Sequence, residues 1–394
     1  MAQAVLTRKG GSEYTTITFN NFSGLSKSNV DFGLDVARRF LAATTVGNYA
    51  LFGGGFTNSN NDSSAVDAYN TSLQKFGLPA GIDYGRRALA ATTIGDYALF
   101  AGGSSGNSYY DRVDTINKSL QRSTTTYLSQ ERSSLGATTV GNYALFAGGP
   151  YNSSEYSAVV DAYNQSLTRS TPTVLSQARG WAAATTVGNY ALFGGGIGGY
   201  YSTVDAYNQS LTRSTPTVLS VGRAYLAATT VGNYALFGGG GSNGGTWSYV
   251  DAYDQSLTRT TPTVLSVARN ALAATTVGNY ALFGGGHSGS DYSSAVDAYN
   301  ASLTKTYPTV LSEARSYLAA ATVGNYALFG GGQVSSGSSS TVDAYRYTDT
   351  VQVYPNTIYK LGSMPTEQTA TAFQEIQVTP PITGYIKIKN TTIN

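Results

Sequence analysis

Two ionisable residue types recur along this 394-residue chain at nearly constant intervals. Arginines stand at Arg38, Arg86, Arg132, Arg179, Arg223, Arg269 and Arg315, and aspartates at Asp67, Asp114, Asp161, Asp205, Asp251, Asp297 and Asp343. Seven guanidiniums around one axis would form an anion site. Seven guanidiniums each answered by a carboxylate would form a buried framework, because a charge taken out of water needs a partner. Both sets are complete in every copy, which favours the framework. Catalytic side chains are scarce. There is no cysteine, which excludes thiol nucleophiles, thiolate metal ligands and disulfides. The single histidine, His287, shares its stretch with Asp291, but no triad order or metal-ligand spacing accompanies it. Asp62, Asp111, Glu155 and Asp291 lie in irregular stretches, and no spacing sets two of them at the separation that glycoside hydrolysis needs. No catalytic residue, metal or cofactor is expected.

The elements that position these charges come from one recurring stretch. Ala-Thr-Thr-Val-Gly-Asn-Tyr-Ala-Leu-Phe-Gly-Gly-Gly, Ala43 to Gly55, returns six times with small changes, its first glycine falling at Gly47, Gly95, Gly141, Gly188, Gly232, Gly278 and Gly324. A period of this size marks a solenoid, propeller or array. In the copy from Arg179 to Arg223, Trp181 to Val187 reads as a first strand. Gly188-Asn189 then suits a type II′ hairpin turn. Tyr190 to Phe193 is apolar on both faces and must be covered on both. Thr203 to Tyr207 gives a third strand, and Leu211 to Leu219 a fourth at the edge, where Pro216 loses no ladder bond. Four antiparallel strands per repeat make one blade, and radial stacking of blades buries both faces.

The double glycine, the Val-Asp-Ala-Tyr strand and the terminal arginine resemble the kelch repeat over residues 23–347. One mark of that family is missing. Where it usually carries Trp, this chain has Phe76, Ser123, Ser170, Ser214, Thr260 and Thr306, so a different packing element is expected between blades. The resemblance implies a β-propeller whose loops carry ligand contacts. Some kelch relatives are copper oxidases with cysteine-linked tyrosine and histidines, which this composition excludes. A sugar isomerase or mutarotase remains the enzyme alternative.

The expected fold is all-β: a seven-bladed kelch-like propeller of four-stranded antiparallel blades. Leu25-Ser26-Lys27 and Leu34 to Arg38 repeat the text of a fourth strand ahead of any first strand, while the last repeat stops after Tyr345 without one. Residues 23–38 should therefore close the last blade and remove the ring's open edges. The organisation is residues 1–22 as an N-terminal segment, 23–347 as propeller, and 348–394 as a β-rich extension, either an attachment segment or a small β element. Net charge is +2, so no nucleic-acid partner and no membrane insertion are expected. The start lacks the apolar core of a signal peptide, which points to synthesis in the cytoplasm, with a virion or cell-surface destination.

Seven copies in one chain can be compared with each other. The first-to-second and third-to-fourth turns scarcely vary. The second-to-third loops and the blade-to-blade connections vary in nearly every copy, and in an up-and-down blade these share one face. That face holds Phe40, Trp181, Tyr225 and Tyr317 two residues after a blade-opening arginine. Its loops hold Tyr109, Tyr110, Tyr151, Tyr156, Tyr200, Tyr201, Trp247, Tyr249, His287 and Tyr292. Tyr, Ser, Gly and Asn with occasional Trp is the composition of a paratope. Arg39 and Arg87 occur in two copies only and would add a local anionic preference. The expectation is a non-enzymatic module binding a glycan or protein receptor, as in a phage tail receptor-binding protein or adhesin, with the C-terminal extension joining it to a larger assembly. An intracellular protein-interaction scaffold is the alternative. Asn-x-Ser/Thr sequons such as Asn164-Gln165-Ser166 read as products of duplication.

Overall fold

The computed structural model describes residues 2–7 and 14–353, with side chains described for 24–348. Every regular element among them is a strand. Seven four-stranded antiparallel blades form a ring, a seven-bladed β-propeller. The first blade uses Ala42–Val46, Tyr49–Gly53, Val66–Asn70 and Lys75–Gly77. Val46 faces Tyr49 across the first turn and Gly53 faces Val66 in the next ladder. Gly47 takes φ +53° while Asn48 does not enter positive φ, as a type II′ turn requires.

The fourth strand is shorter than the sequence suggests. In the fourth blade it is Arg213–Ser214 alone, because the chain turns away before Pro216, which has no N–H to offer. The seventh blade closes as expected. Tyr14–Ser28 lies beside Val342–Val353, the third strand of that blade, and Ala2–Thr7 pairs outside it. The closing strand thus begins earlier than residue 23. Two compact units result: Ser26–Arg346, and a second whose described part is residues 2–7, 14–25 and 347–353. The β-prone runs at 373–378 and 385–388 lie outside the described residues.

The second strand explains its own composition. Leu51 packs with Val66 and Ala68 on one side and, across the interface, with Ala98 and Phe100 of the next blade. Each blade but the second carries a Phe–Tyr pair in its interior, and in the second Ile116 stands where the others have Tyr. Phe52 and Tyr69 meet edge to face at 5.9 Å and 88°, and the other pairs repeat this geometry. The tyrosine hydroxyl reaches the preceding linker, Tyr163 Oη donating to Thr126 O at 2.8 Å. Gly53 makes room for the next blade: a Cβ there would lie 2.7 Å from Phe100 Cε1.

The third turn accounts for the sequons. Asn164 Oδ1 accepts the N–H groups of Ser166 and Thr168 at 3.0 and 2.9 Å, and Leu167 takes φ +61°. Asn70, Asn117, Asn208, Asp254 and Asn300 do the same. The repeated Asn is turn chemistry.

Candidate recognition face and channel

The arginine and aspartate series form the buried framework. Arg38 Nη2 lies 2.5 Å from Asp67 Oδ2 and donates to Phe52 O at 3.0 Å. Asp67 Oδ1 accepts the N–H of Asp35 at 3.0 Å. All seven arginines are fully buried and make the same ion pair. A second basic residue, which the sequence reading did not separate out, meets the other carboxylate oxygen: Lys27 with Asp343 at 2.7 Å, Arg259 with Asp251 at 3.2 Å. Burial lowers the Arg86, Arg132, Arg223, Arg269 and Arg315 pKa values, opposed by the facing aspartates. With both partners enclosed, these arginines offer no open anion site.

Above this framework the blade connections build the channel mouth. Phe40, Ala88, Ser134, Trp181, Tyr225, Ala271 and Tyr317 all take φ between +50° and +57°. Their backbones form a closed ring. Each N–H donates to the carbonyl of the equivalent residue in the preceding blade, from Ala88 to Phe40 at 2.8 Å round to Phe40 to Tyr317 at 3.1 Å. A left-handed non-glycine residue costs about 1–2 kcal/mol. Glycine would avoid that cost, and a chain with 46 glycines places none at these seven positions. The side chains are what the mouth retains.

Four of the seven are aromatic and pack together. Phe40 and Tyr317 centroids are 4.2 Å apart, Trp181 and Tyr225 4.9 Å, and Phe40 reaches Trp181 at 6.2 Å. Burial pushes the Tyr225 hydroxyl up to about 12, helped by Tyr317, Tyr200 and Tyr156 nearby. Tyr317 is raised by burial as well. Leu41, Leu89, Leu135, Leu226, Leu272 and Leu318 form the next layer, with Ala182 beneath Trp181 in the fourth blade, around a cavity of about 170 Å³. Ligand pockets are generally about 300–1,000 Å³, so this cavity is too small to enclose one, and what this end of the channel offers is its aromatic surface.

The channel's other opening is a chamber of about 530 Å³ lined by threonines. Thr45, Thr93, Thr139, Thr186, Thr230, Thr276 and Thr322 each donate a hydroxyl to the equivalent carbonyl of the preceding blade. Thr44, Thr92, Thr138, Thr185, Thr229 and Thr275 hydrogen-bond those hydroxyls from the adjacent blade. Ala321 holds the seventh such position, and the outer half of the ring is open there.

The remaining expected residues divide into groups. Tyr156 and Tyr200 neighbour Tyr225. His287 and Tyr292 meet edge to face at 5.4 Å. His287 Nδ1 accepts the Gly289 N–H at 3.2 Å and Asp291 Oδ2 accepts from Ser290 Oγ at 2.8 Å, so the two do not pair. Trp247 Nε1 donates to Ser242 Oγ at 3.2 Å, and its ring sits 5.8 Å from exposed Tyr249. Tyr151 N–H donates to Glu155 O at 3.3 Å within one loop. Tyr201 Oη donates to Gly198 O at 3.4 Å. Tyr109 pairs with Ser104 in a short hairpin.

Tyr110 stacks at 6.2 Å and 11° on Tyr84. Arg112 lies over both Tyr84 and Tyr127, at 5.1 and 4.5 Å. Tyr84, Tyr127 and Arg112 were not read as site residues. Of the three only Tyr84 had a sequence signal, since it lies in residues 77–84, which replace the Pro-Thr-Val-Leu-Ser text of other repeats. Arg39 and Arg87 converge on Phe56, 4.9 and 4.4 Å from its ring centroid. Compared with known proteins, the chain matches no family model and no curated protein.

Proposed function

We propose that this propeller is a non-enzymatic recognition module that binds a glycan or protein receptor on its aromatic loop face. The observation that carries this reading is the mouth ring, where seven backbone-strained positions keep side chains and four of these are aromatics packed into one surface. Strain of this kind concentrates at ligand-contacting sites, and rigid aromatics give contact area at low entropic cost. Loops on a fixed scaffold are where binding residues concentrate. The kelch likeness of the repeat supports the same face, and a virion-borne or cell-surface receptor binder suits loops that diverge on an unchanging frame. The test is a combined glycan and peptide array with the purified chain beside a Trp181→Ala/Tyr225→Ala variant. Binding present in the parent and lost in a folded variant supports the reading, and equal binding by both sinks it.

A further inference from the structure

Resting on that reading, we infer that the ligand is an acidic glycan, whose carboxylate or sulfate is bound by Arg39 and Arg87 at Phe56. Only two of the seven repeats carry an arginine directly after the blade-opening one. The other five have Ser133, Gly180, Ala224, Asn270 and Ser316. The fold brings the two arginines onto a single ring, at 4.9 and 4.4 Å from the Phe56 centroid. Covering a phenyl ring requires no charge, and bringing two guanidiniums to it sets like charges near each other.

The charge count at this place differs from the buried framework, where each arginine has its aspartate. Among the described residues Arg39 has no carboxylate in ion-pair range, its contacts being Ser338 and the Phe56 ring. Arg87 Nη1 is 3.8 Å from Asp62 Oδ1, an oxygen that accepts no hydrogen bond. Two cations against one carboxylate leave a net positive patch on the loop face. A guanidinium over an aromatic ring uses its face there and keeps its N–H edges for a planar or tetrahedral anion.

The site is also held in place. Arg39 pairs with Phe56 along the backbone, and Arg87 exchanges two backbone bonds with Ser104 at 3.0 and 2.9 Å. Arg39 Nη1 donates to Ser338 Oγ at 3.0 Å, and that hydroxyl gives its own hydrogen to Phe56 O at 3.1 Å. Asn58 brackets Ser338, accepting its N–H at 2.5 Å and donating to its carbonyl at 3.2 Å. Phe40, the next residue after Arg39, belongs to the mouth cluster, so the arginine pair and the aromatic surface adjoin along the chain.

The test uses the full chain on an array of matched glycans that are neutral, carboxylated or sulfated, with acidic peptides alongside. An Arg39→Gln/Arg87→Gln variant and an Arg39→Lys/Arg87→Lys variant, each checked by thermal melting, are compared with the parent. The expected result is a preference of about tenfold or more for an acidic glycan over its neutral match. That preference should fall as salt is raised, vanish in the glutamine variant and be partly retained in the lysine variant, with neutral binding unchanged. The carboxylated and sulfated arms identify which anion is read. Equal binding of acidic and neutral glycans, or a preference that survives in the glutamine variant, overturns the proposal. Binding of acidic peptides without any glycan also overturns it. Glycan binding that is lost on Trp181→Ala/Tyr225→Ala but shows no acidic preference in the parent would leave the recognition reading standing while this one falls.

Discussion

The backbone N–H of Phe40 donates to the carbonyl of Tyr317 at 3.1 Å, where the first blade meets the last. The same bond joins the other six blade junctions. Gly332 N–H donates to Arg38 O at 2.9 Å at this seam, as Gly55 does to Arg86 O at 2.8 Å elsewhere. The join that makes the chain a ring therefore has the chemistry of every other junction.

Removing one member of a buried charge pair leaves the other without a partner. Arg179→Ala and Asp205→Ala should each destabilise by about 3–5 kcal/mol. The double variant should lose clearly less than the sum, since no lone charge then remains in the interior, Arg213 beside Asp205 being partly exposed. Urea unfolding of all three would show it. Additive losses would mean that the 2.7 Å contact of Arg179 with Asp205 does not set the cost.

Glycine should be welcome at the mouth and unwelcome in the strands. Ala88 and Ala271 sit at φ +53° and +52°, where an L-residue costs about 1–2 kcal/mol, while glycine's freer unfolded chain returns roughly 0.4–1 kcal/mol of that gain. Ala88→Gly and Ala271→Gly should therefore range from neutral to about 1.6 kcal/mol stabilising. Ala50→Gly, in a buried strand, should be destabilising. Mouth variants as damaging as Ala50→Gly would refute the strain argument.

Completing the threonine ring should stabilise the protein. Ala321→Thr supplies the hydroxyl missing opposite Thr45 and suits a strand position. One added hydrogen bond is worth about 0.5–1.5 kcal/mol, readable as a rise in melting temperature. A fall would mean that the channel lining has no room for the extra atoms.

Alkali should unfold the ring through its tyrosines. Burial raises the hydroxyl pKa values of Tyr69, Tyr163, Tyr207, Tyr253, Tyr299 and Tyr345 well above the ordinary value of 10.0, and Tyr225 to about 12. A folded-state pKa above the unfolded one gives stability that is complete below about pH 10 and lost as pH rises through the folded value. With one histidine and no cysteine, little change is expected between about pH 7 and 9. With 31 tyrosines in the chain, several of them exposed, tyrosinate absorbance should rise in two phases, and only the later one, from the buried hydroxyls, should coincide with the loss of circular dichroism. Complete tyrosine ionisation near pH 10 in an intact fold would contradict the burial argument.

Repetition made the architecture legible. Seven copies of one stretch, a fourth-strand text ahead of the first copy and invariant turns on one face were enough for the blades, the closure and the variable face. The short outer strands were not legible, because Leu211 to Leu219 has β-prone residues and only the third dimension shows where the chain leaves the sheet. The positive φ at Trp181 or Tyr225 was equally hidden: aromatic residues give no sign of it, and the bonds enforcing it join positions 44–48 residues apart. Thr44-Thr45 and its copies read as β-branched strand residues, though their hydroxyls bond from blade to blade around the channel. Phe56 escaped because its importance lies in the two arginines that reach it from separate repeats.

The mouth ring and the threonine ring both point one way, each blade donating to the one before it. A closed circuit with a single handedness has no natural origin, so the place where synthesis begins is, for the core of the disc, arbitrary. Circular permutants opened at an invariant turn such as Gly188-Asn189, with a short linker over the present seam, inherit the same set of junctions. The chain's linear order is a property of its gene more than of its ring.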